Sequence, residues 1–171
     1  MKCEIVDGVS LASITNQYLS VSYEAGDRHS VEVIYVNGHP FNAFARLGHD
    51  LRQARYFWSD RFHKATLLVW ADQICINQNN SQERMHQVQL MGDIYGTSSN
   101  ALVSLSCEDD IGGRAERLHH VTTLNSTSLG DYFLATRKFI ESHISWNAFM
   151  STFLHSPWWS RAWIRQEFIR S

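Results

Sequence analysis

LLVWADQICINQNNSQERMHQVQLMGDIY, the stretch from Leu67 to Tyr95, decides how this chain folds. It begins with four apolar residues, Leu67 to Trp70, and the apolar pattern resumes at Ile74 to Ile76. A short run that is apolar on both faces predicts a central strand of a sheet that is covered on both sides. Asp72 would then be an acid at or near the end of that sheet, where it either braces the following turn or belongs to a site.

A helix is predicted to follow the polar turn at Asn77 to Ser81. Asn80 is a good N-cap residue, and Glu83 three residues later completes the pattern of a capping box, so the helix should begin near Ser81. Gly96 can supply a left-handed C-cap. Apolar residues at three- and four-residue spacing mark the face that we expect to be buried: Met85, Val88, Met91 or Gly92, and Tyr95.

Outside this stretch, the first 105 residues predict four more strands and one more helix. Asn37-Gly38 is a strong signal for a two-residue hairpin turn. The order of elements predicts an α/β fold with a sheet that is at least partly parallel. The expected elements are strands over Tyr18 to Tyr23, Val31 to Val36 with its return at His39 to Phe41, and Ala101 to Leu105, and a helix from Phe44 to about Arg55.

Helical spacing also recurs in the C-terminal third, over 131–143 and 146–154, and Ser156-Pro157 is a good start for a last helix. On that helix Trp159, Trp163 and Glu167 are spaced by four and share one face. A carboxylate beside aromatic surface loses hydration, which leaves it available to a ligand. The alternative is that the tryptophans are core residues and Glu167 forms an ion pair with a neighbouring arginine.

Composition narrows the class of protein. A chain of 171 residues with 44% hydrophobic residues is long enough for one globular domain. The net charge of −2 and the scattered basic residues argue against a nucleic-acid partner. Neither a signal peptide nor an apolar run of membrane-spanning length occurs, so a cytoplasmic location is expected.

Cysteine and histidine usage predicts neither disulfides nor a metal site. The three cysteines are far apart, which is typical of reduced thiols, and Cys75 lies in an apolar segment where an inert core thiol is expected. The nine histidines lack the spacing of known metal motifs, and Glu83-x-x-His86 matches only half of a di-iron motif.

Three ordered segments resemble the motifs of the fungal heterokaryon-incompatibility (HET) domain. The first is Leu19-Ser-Val-Ser-Tyr-Glu-Ala-Gly-Asp27, the second is Trp70-Ala-Asp-Gln-Ile-Cys-Ile-Asn-Gln78 with the helix that follows it, and the third is Trp159-Ser-Arg-Ala-Trp-Ile-Arg-Gln-Glu167. One departure is that Ala25 stands where the family usually has tryptophan. The resemblance covers most of the chain.

HET domains are distantly similar to Toll/interleukin-1 receptor (TIR) domains. This resemblance implies a flavodoxin-like fold with a mainly parallel sheet, an N-terminal β-hairpin and helices on both faces. Enzymatic TIR domains cleave NAD+ with a glutamate in a Trp-x-x-x-Glu pattern, which Trp163 and Glu167 reproduce here. One fixed carboxylate suits this reaction because it stabilises an oxocarbenium-like ribose, while the cationic nicotinamide leaves without an added proton.

The first motif is expected to form the opposite wall of this site. Ser22, Tyr23 and Gly26 follow the first strand, where loops at a sheet end bind ligands, and Gly26 would allow close backbone approach to a phosphate or ribose. Arg46 is a candidate partner for a pyrophosphate, as is Arg28. A second set of residues (Asp72, Arg84 and Arg161) is expected either to form a supporting ion-pair network or to contact the ligand directly.

We therefore expect residues 1–171 to form a single HET-like domain that is the N-terminal module of a longer protein or a truncated form. The expected function is fungal self/non-self recognition that triggers programmed cell death through cleavage of NAD+, which is a substrate and not a cofactor. The alternative is a non-catalytic module that signals by self-association or through a partner protein. Ala25 and the early end of the chain favour that alternative.

Overall fold

The protein is described by a computed structural model, which covers residues 1–27, 29–62, 66–104, 120–122 and 155. Within these residues, two sheets and three helices make an α/β fold. The elements are β1 (Lys2–Cys3), a 3-10 turn (Leu11–Ser13), β2 (Leu19–Tyr23), β3 (Val31–Val36), β4 (His39–Phe44), α1 (Ala45–Phe62), β5 (Val69–Trp70), α2 (Asp72–Cys75), α3 (Ser81–Thr97), β6 (Asn100–Ser104) and β7 (His120–Thr122).

The larger sheet has the strand order β5-β2-β6-β7. β2 is parallel to both β5 and β6, whereas β7 is antiparallel to β6. All five residues of β2 are buried, so β2 is covered on both sides. The predicted strands at 18–23 and 101–105 are confirmed to within one residue over the part of the chain that the structure describes.

The prediction of a central strand in the Leu67 to Ile76 segment was wrong. β5 has only two residues and is the end strand of the sheet within the described chain. Ile74 and Cys75 donate their backbone N–H groups to the carbonyl of Ala71, so this part of the segment is a helical turn. Short apolar runs fit either period, and pattern alone could not separate the two.

The smaller sheet has the order β1-β3-β4, with β1 parallel and β4 antiparallel to β3. Asn37 and Gly38 both have positive φ, 51° and 79°, which makes the two-residue turn that the sequence predicted. The predicted hairpin is confirmed, although its return strand continues to Phe44. The fold class is confirmed as α/β, but both sheets are mixed: in the larger one two of the three described strand pairings are parallel, and in the smaller one a parallel and an antiparallel pairing occur.

Helices cover both faces of the larger sheet. On one face Leu19, Val21 and Tyr23 pack in a single core cluster with buried residues of α1, namely Leu47, Leu51, Ala54 and Trp58. On the other face Ala101 packs with Met91 and Tyr95 of α3. α1 continues beyond the predicted end near Arg55, and Trp58 extends its buried stripe by one turn.

The ends of α3 give one confirmed and one wrong prediction. Asn80 is the N-cap, and its side-chain oxygen accepts from the backbone N–H groups of Gln82 and Glu83, both at 3.1 Å. The Glu83 carboxylate accepts from Asn77 N at 2.9 Å, so it braces the preceding turn. Gly96 is not a left-handed cap, because α3 continues to Thr97 and ends at Ser98 in an extended conformation.

The helices expected at 131–143, at 146–154 and after Pro157 lie outside the described residues. Within the described chain, no helix is long and apolar enough to cross a membrane.

Candidate functional site

Two of the predicted site residues meet at the carboxyl edge of the larger sheet. Tyr23 is the last residue of β2, and Asp72 follows β5 after one intervening residue. Because β2 and β5 are parallel, both strands run toward the same edge of the sheet. The Tyr23 hydroxyl donates to Asp72 Oδ1 at 2.7 Å, and the Tyr23 side chain is 4% exposed. This bond joins the first motif to the second.

Two further hydrogen bonds hold Asp72 within its own turn, one to its carboxylate and one to its backbone carbonyl. The Gln73 backbone N–H also donates to Oδ1, at 2.7 Å, while the Gln78 side-chain amide donates to the Asp72 carbonyl at 2.9 Å. Both hydrogen bonds of the carboxylate from described residues go to Oδ1. The Asp72 carboxylate therefore has a fixed position, and its Oδ2 atom accepts no hydrogen bond from the described residues.

Gln73 ties this turn to the smaller sheet, a role for which the sequence offered no local signal. Its Oε1 accepts from Phe44 N at 3.0 Å, and its Nε2 donates to the Asn42 carbonyl at 3.3 Å. Both partners belong to β4, which is the outer strand of its sheet in the described chain. The amide thus occupies hydrogen-bonding groups of an open strand edge. It fixes the orientation of the turn that carries Asp72.

The loop after β2 is packed against the start of α1. Gly26 has φ +66°, a left-handed conformation that suits glycine, and a Cβ added there would lie 2.9 Å from Arg46 Nε. Arg46 forms an ion pair with Glu24. The space that Gly26 leaves by having no side chain is therefore occupied by the Arg46 side chain. The guanidinium is partly committed to Glu24, a partner that lies 22 residues earlier and that the sequence analysis did not identify.

Ser22 and Arg84 have opposite exposures. Ser22 is 1% exposed, so its hydroxyl lies inside the fold and not at an open surface. Arg84 is exposed on the first turn of α3, and no carboxylate of the described residues forms an ion pair with it. The structure thus contains no Asp72–Arg84 ion pair of the kind that the supporting network would require.

Asp72 and Arg84 instead line a common groove of about 530 Å³, which we call the α3 groove. Apolar side chains form much of its surface, and they range from Met91, which is 2% exposed, to Met85, which is 64% exposed. Its full lining is Asp72, Ile76, Gln78, Ser81, Gln82, Arg84, Met85, Val88 and Met91. The predicted buried stripe of α3 is buried only in its C-terminal half, and its N-terminal half faces this groove.

The two described cysteines are unsuited to nucleophilic chemistry at neutral pH. Burial is the main cause that raises the pKa of the Cys75 thiol, and burial also raises the pKa of Cys3. Both thiols are therefore protonated, and a protonated thiol is a poor nucleophile. No cluster of three or more histidine, cysteine, aspartate or glutamate side chains that is suited to a metal occurs among the described residues.

Five of the residues that the sequence singled out lie outside the described part of the chain: Arg28, Trp159, Arg161, Trp163 and Glu167. Their roles stay predictions. The described half of the proposed site consists of the Tyr23–Asp72 contact, the loop that carries Gly26, and Arg46.

A family model and a curated relative both match this chain. The model of the heterokaryon incompatibility (HET) protein family matches residues 18–167. Heterokaryon incompatibility protein 6, OR allele, from Neurospora crassa is 32% identical to this chain over 105 residues. That alignment covers 57% of this chain and 15% of the relative, so the chain corresponds to a small part of that protein. No solved structure matches the chain.

Proposed function

Because this chain belongs to the heterokaryon incompatibility family, we propose that it is a module of fungal self/non-self recognition whose action triggers programmed cell death. The relative from Neurospora crassa is named for heterokaryon incompatibility, which supports this role. Such a module is part of fungal innate immunity.

The observation that carries a ligand-binding role is the contact between Tyr23 and Asp72. It brings the first and second motifs together at the carboxyl ends of two parallel strands. In open α/β sheets, ligands bind outside the carboxyl ends of the strands. A site at this edge would be supplied by loops from both motifs, and this arrangement supports a relationship to the TIR fold.

The reaction that we propose is hydrolysis of the bond between nicotinamide and ribose in NAD+. The bonding electrons go to the cationic ring nitrogen, so nicotinamide leaves as a neutral molecule and the ribose becomes an oxocarbenium-like ion. Glu167 is the proposed carboxylate that stabilises this ion and orients the ribose hydroxyls. Water then adds to the anomeric carbon and loses a proton, which yields ADP-ribose. Trp163 would form the wall beside the ring.

In this proposal Arg46 binds the pyrophosphate. Its side chain is 38% exposed, so it is accessible from solvent while it is paired with Glu24. A guanidinium can bind a phosphate through two parallel hydrogen bonds. An exposed ion pair such as Arg46–Glu24 is weak, so a phosphate can displace the carboxylate. The pyrophosphate would have to replace Glu24 as the partner of Arg46.

The test is nicotinamide release from NAD+ by the purified chain at high protein concentration, followed by chromatography. We expect release from the unmodified protein, no release from Glu167→Ala, and unchanged release from Glu4→Ala, a matched change at an exposed glutamate. No release from the unmodified protein would reject the enzymatic proposal for this chain. Equal release from Glu167→Ala would assign the chemistry to another residue.

A second proposal is a non-catalytic module that signals by self-association. Two observations favour it: Ala25 replaces the usual tryptophan of the first motif, and the space beside Gly26 is already filled by the Arg46 side chain. Light scattering across a range of protein concentrations distinguishes this proposal. A mass that rises with concentration, without any nicotinamide release, would favour self-association over catalysis.

A further inference from the structure

We propose that the α3 groove binds a small organic anion with a flat apolar body and a polar edge, the chemical class of the nucleoside monophosphates. This proposal differs from the NAD+ cleavage proposed for Glu167, although Asp72 belongs both to the groove and to the Tyr23–Asp72 contact at the sheet edge. The inference concerns binding alone, so it stands whether or not NAD+ is cleaved.

The size and lining of the groove point to a small molecule. Its volume of about 530 Å³ falls within the range of about 300–1,000 Å³ that is typical of ligand pockets. Met85, Val88 and Met91 supply an apolar wall along one face of α3. Methionine thioethers are polarisable and adapt well to flat aromatic surfaces. Met85 is 64% exposed, so a ligand that covered it would remove apolar surface from water.

One residue of the groove lining, Arg84, favours an anionic ligand. Arg84 lines the groove, and its guanidinium forms no ion pair within the described chain. A guanidinium binds phosphate or carboxylate oxygens through paired, charge-assisted hydrogen bonds. The anionic group of the ligand therefore belongs beside Arg84.

A second charged residue of the groove favours a ligand with a hydrogen-bond donor. Asp72 lines it with a carboxylate that Tyr23 and Gln73 hold through Oδ1 only. Oδ2 takes no hydrogen bond from the described residues and can accept one from a ligand hydroxyl or amino group. Because Asp72 is already fixed, binding a donor there costs little side-chain ordering.

The polar rim separates a nucleotide from a fatty acid. Gln78, Ser81 and Gln82 line the same groove as the apolar wall. An acyl chain offers no donor or acceptor to these groups, and covering them without partners is unfavourable. A purine nucleoside has an apolar face for the methionines and valine, ring nitrogens and hydroxyls for the rim, and a phosphate for Arg84.

The experiment uses the full chain labelled with ¹³C at its methionine methyl groups and adenosine 5′-monophosphate as the probe. The chain has four methionines. Met85 and Met91 lie in the groove, whereas Met1 packs near a different cluster. Met→Leu changes assign the signals. We expect saturable shifts of the Met85 and Met91 signals and an unchanged Met1 signal.

Variants and related probes decide which groups matter. Arg84→Gln should weaken binding at least about tenfold, the size of one lost charge-assisted contact. Arg55→Gln, a matched change at an exposed arginine of α1, should leave binding unchanged. Adenosine and inorganic phosphate should each bind more weakly than the monophosphate. Thermal melting checks that both variants are folded.

Several outcomes would overturn the inference. These are unmoved Met85 and Met91 signals at millimolar probe, equal affinity in Arg84→Gln and the unmodified chain, or larger shifts with octanoate than with adenosine 5′-monophosphate. The probe contains no nicotinamide, so failure here leaves the nicotinamide-release assay unaffected. Failure of that assay equally leaves the methionine shifts to be read on their own.

Discussion

The loop after β2 and the turn after β5 leave the same edge of the sheet but hold their charged groups differently. In the loop, Arg46 lies against Gly26 and forms an ion pair with Glu24. The positive charge that was predicted to bind a pyrophosphate is therefore paired within the protein. In the turn, Tyr23 and Gln73 hold Asp72 through one oxygen, while Arg84 stays unpaired among described residues beside an open groove. The turn after β5 is therefore better prepared to bind a ligand than the loop after β2.

The largest effect is expected from removing the bond that joins the two sides. Tyr23→Phe deletes the hydroxyl that donates to Asp72, and a buried bond to a charged group contributes about 1.5–3 kcal/mol. We expect a loss of that size in the free energy of unfolding, measured by urea denaturation. Tyr35→Phe, at a tyrosine that is 46% exposed, should change stability by less than about 0.5 kcal/mol.

A double-mutant cycle tests whether the loss comes from the Asp72 charge. In an Asp72→Asn background the Tyr23→Phe change should cost only about 0.5–1.5 kcal/mol, the value of a neutral hydrogen bond. Equal costs in both backgrounds would mean that Tyr23 acts through packing, and the link between the motifs would lose its electrostatic basis.

A smaller effect is expected from filling the space beside Gly26. Gly26→Ala forces a side chain into a left-handed conformation, which costs about 1–2 kcal/mol, and its Cβ would also collide with Arg46. Gly8→Ala isolates the first cost, because Gly8 has φ +67° and no atom within 4 Å of an added Cβ. We expect Gly26→Ala to be the more destabilising of the two in chemical denaturation.

The contact with Arg46 has its own control. In an Arg46→Ala background, Gly26→Ala should cost no more than Gly8→Ala, since the colliding side chain is gone. If Gly26→Ala and Gly8→Ala cost the same in the unmodified background, Arg46 does not close the loop. The contrast between a filled loop and an open groove would then disappear.

Sequence reasoning succeeded where the cause of a structure lies within a few residues. The Asn37-Gly38 turn and the Asn80 cap depend on backbone angles and amide groups at neighbouring positions, and both were predicted. Gly96 was misassigned, because the helix C-terminus depends on Ser98, whose hydroxyl bonds to Tyr95 O and to Ser20 across the fold. Local signals specify how an element can end, while tertiary contacts select where it does.

The candidate site shows even more clearly that local sequence signals do not reveal tertiary contacts. Tyr23 and Asp72 were both selected in advance, but their contact spans 49 residues and follows from strand order alone. Gln73 reaches β4 across 29 residues, and nothing beside it in the sequence indicates that partner. The α3 groove was also missed, because the spacing of Met85 and Val88 predicts a buried face equally well whether or not another element covers it.

The smallest effect concerns an ion pair away from this edge, which serves as a reference for the Glu24–Arg46 pair. Glu32 on β3 pairs with Arg52 on α1, and it lies against Gly48, where a Cβ would be 2.5 Å from Glu32 Oε2. The hydrogen bond from Arg52 is the main cause that lowers the pKa of the Glu32 carboxyl below its ordinary value of 4.5. Folding therefore favours the ionised form of Glu32.

The lowered pKa fixes the direction of the pH dependence. The stabilisation from Glu32 is complete above pH 4.5 and is lost as the pH falls through the lower pKa of the folded state. Since the pair is partly exposed, solvent screening limits it to about 0.2–1 kcal/mol. Urea denaturation from pH 6 downward, to about pH 3, should show that Glu32→Gln has lost this part of the acid sensitivity, whereas Glu24→Gln retains it. An identical pH dependence in Glu32→Gln and the unmodified chain would show that the pair with Arg52 adds no stability, and it would then be no reference for Arg46.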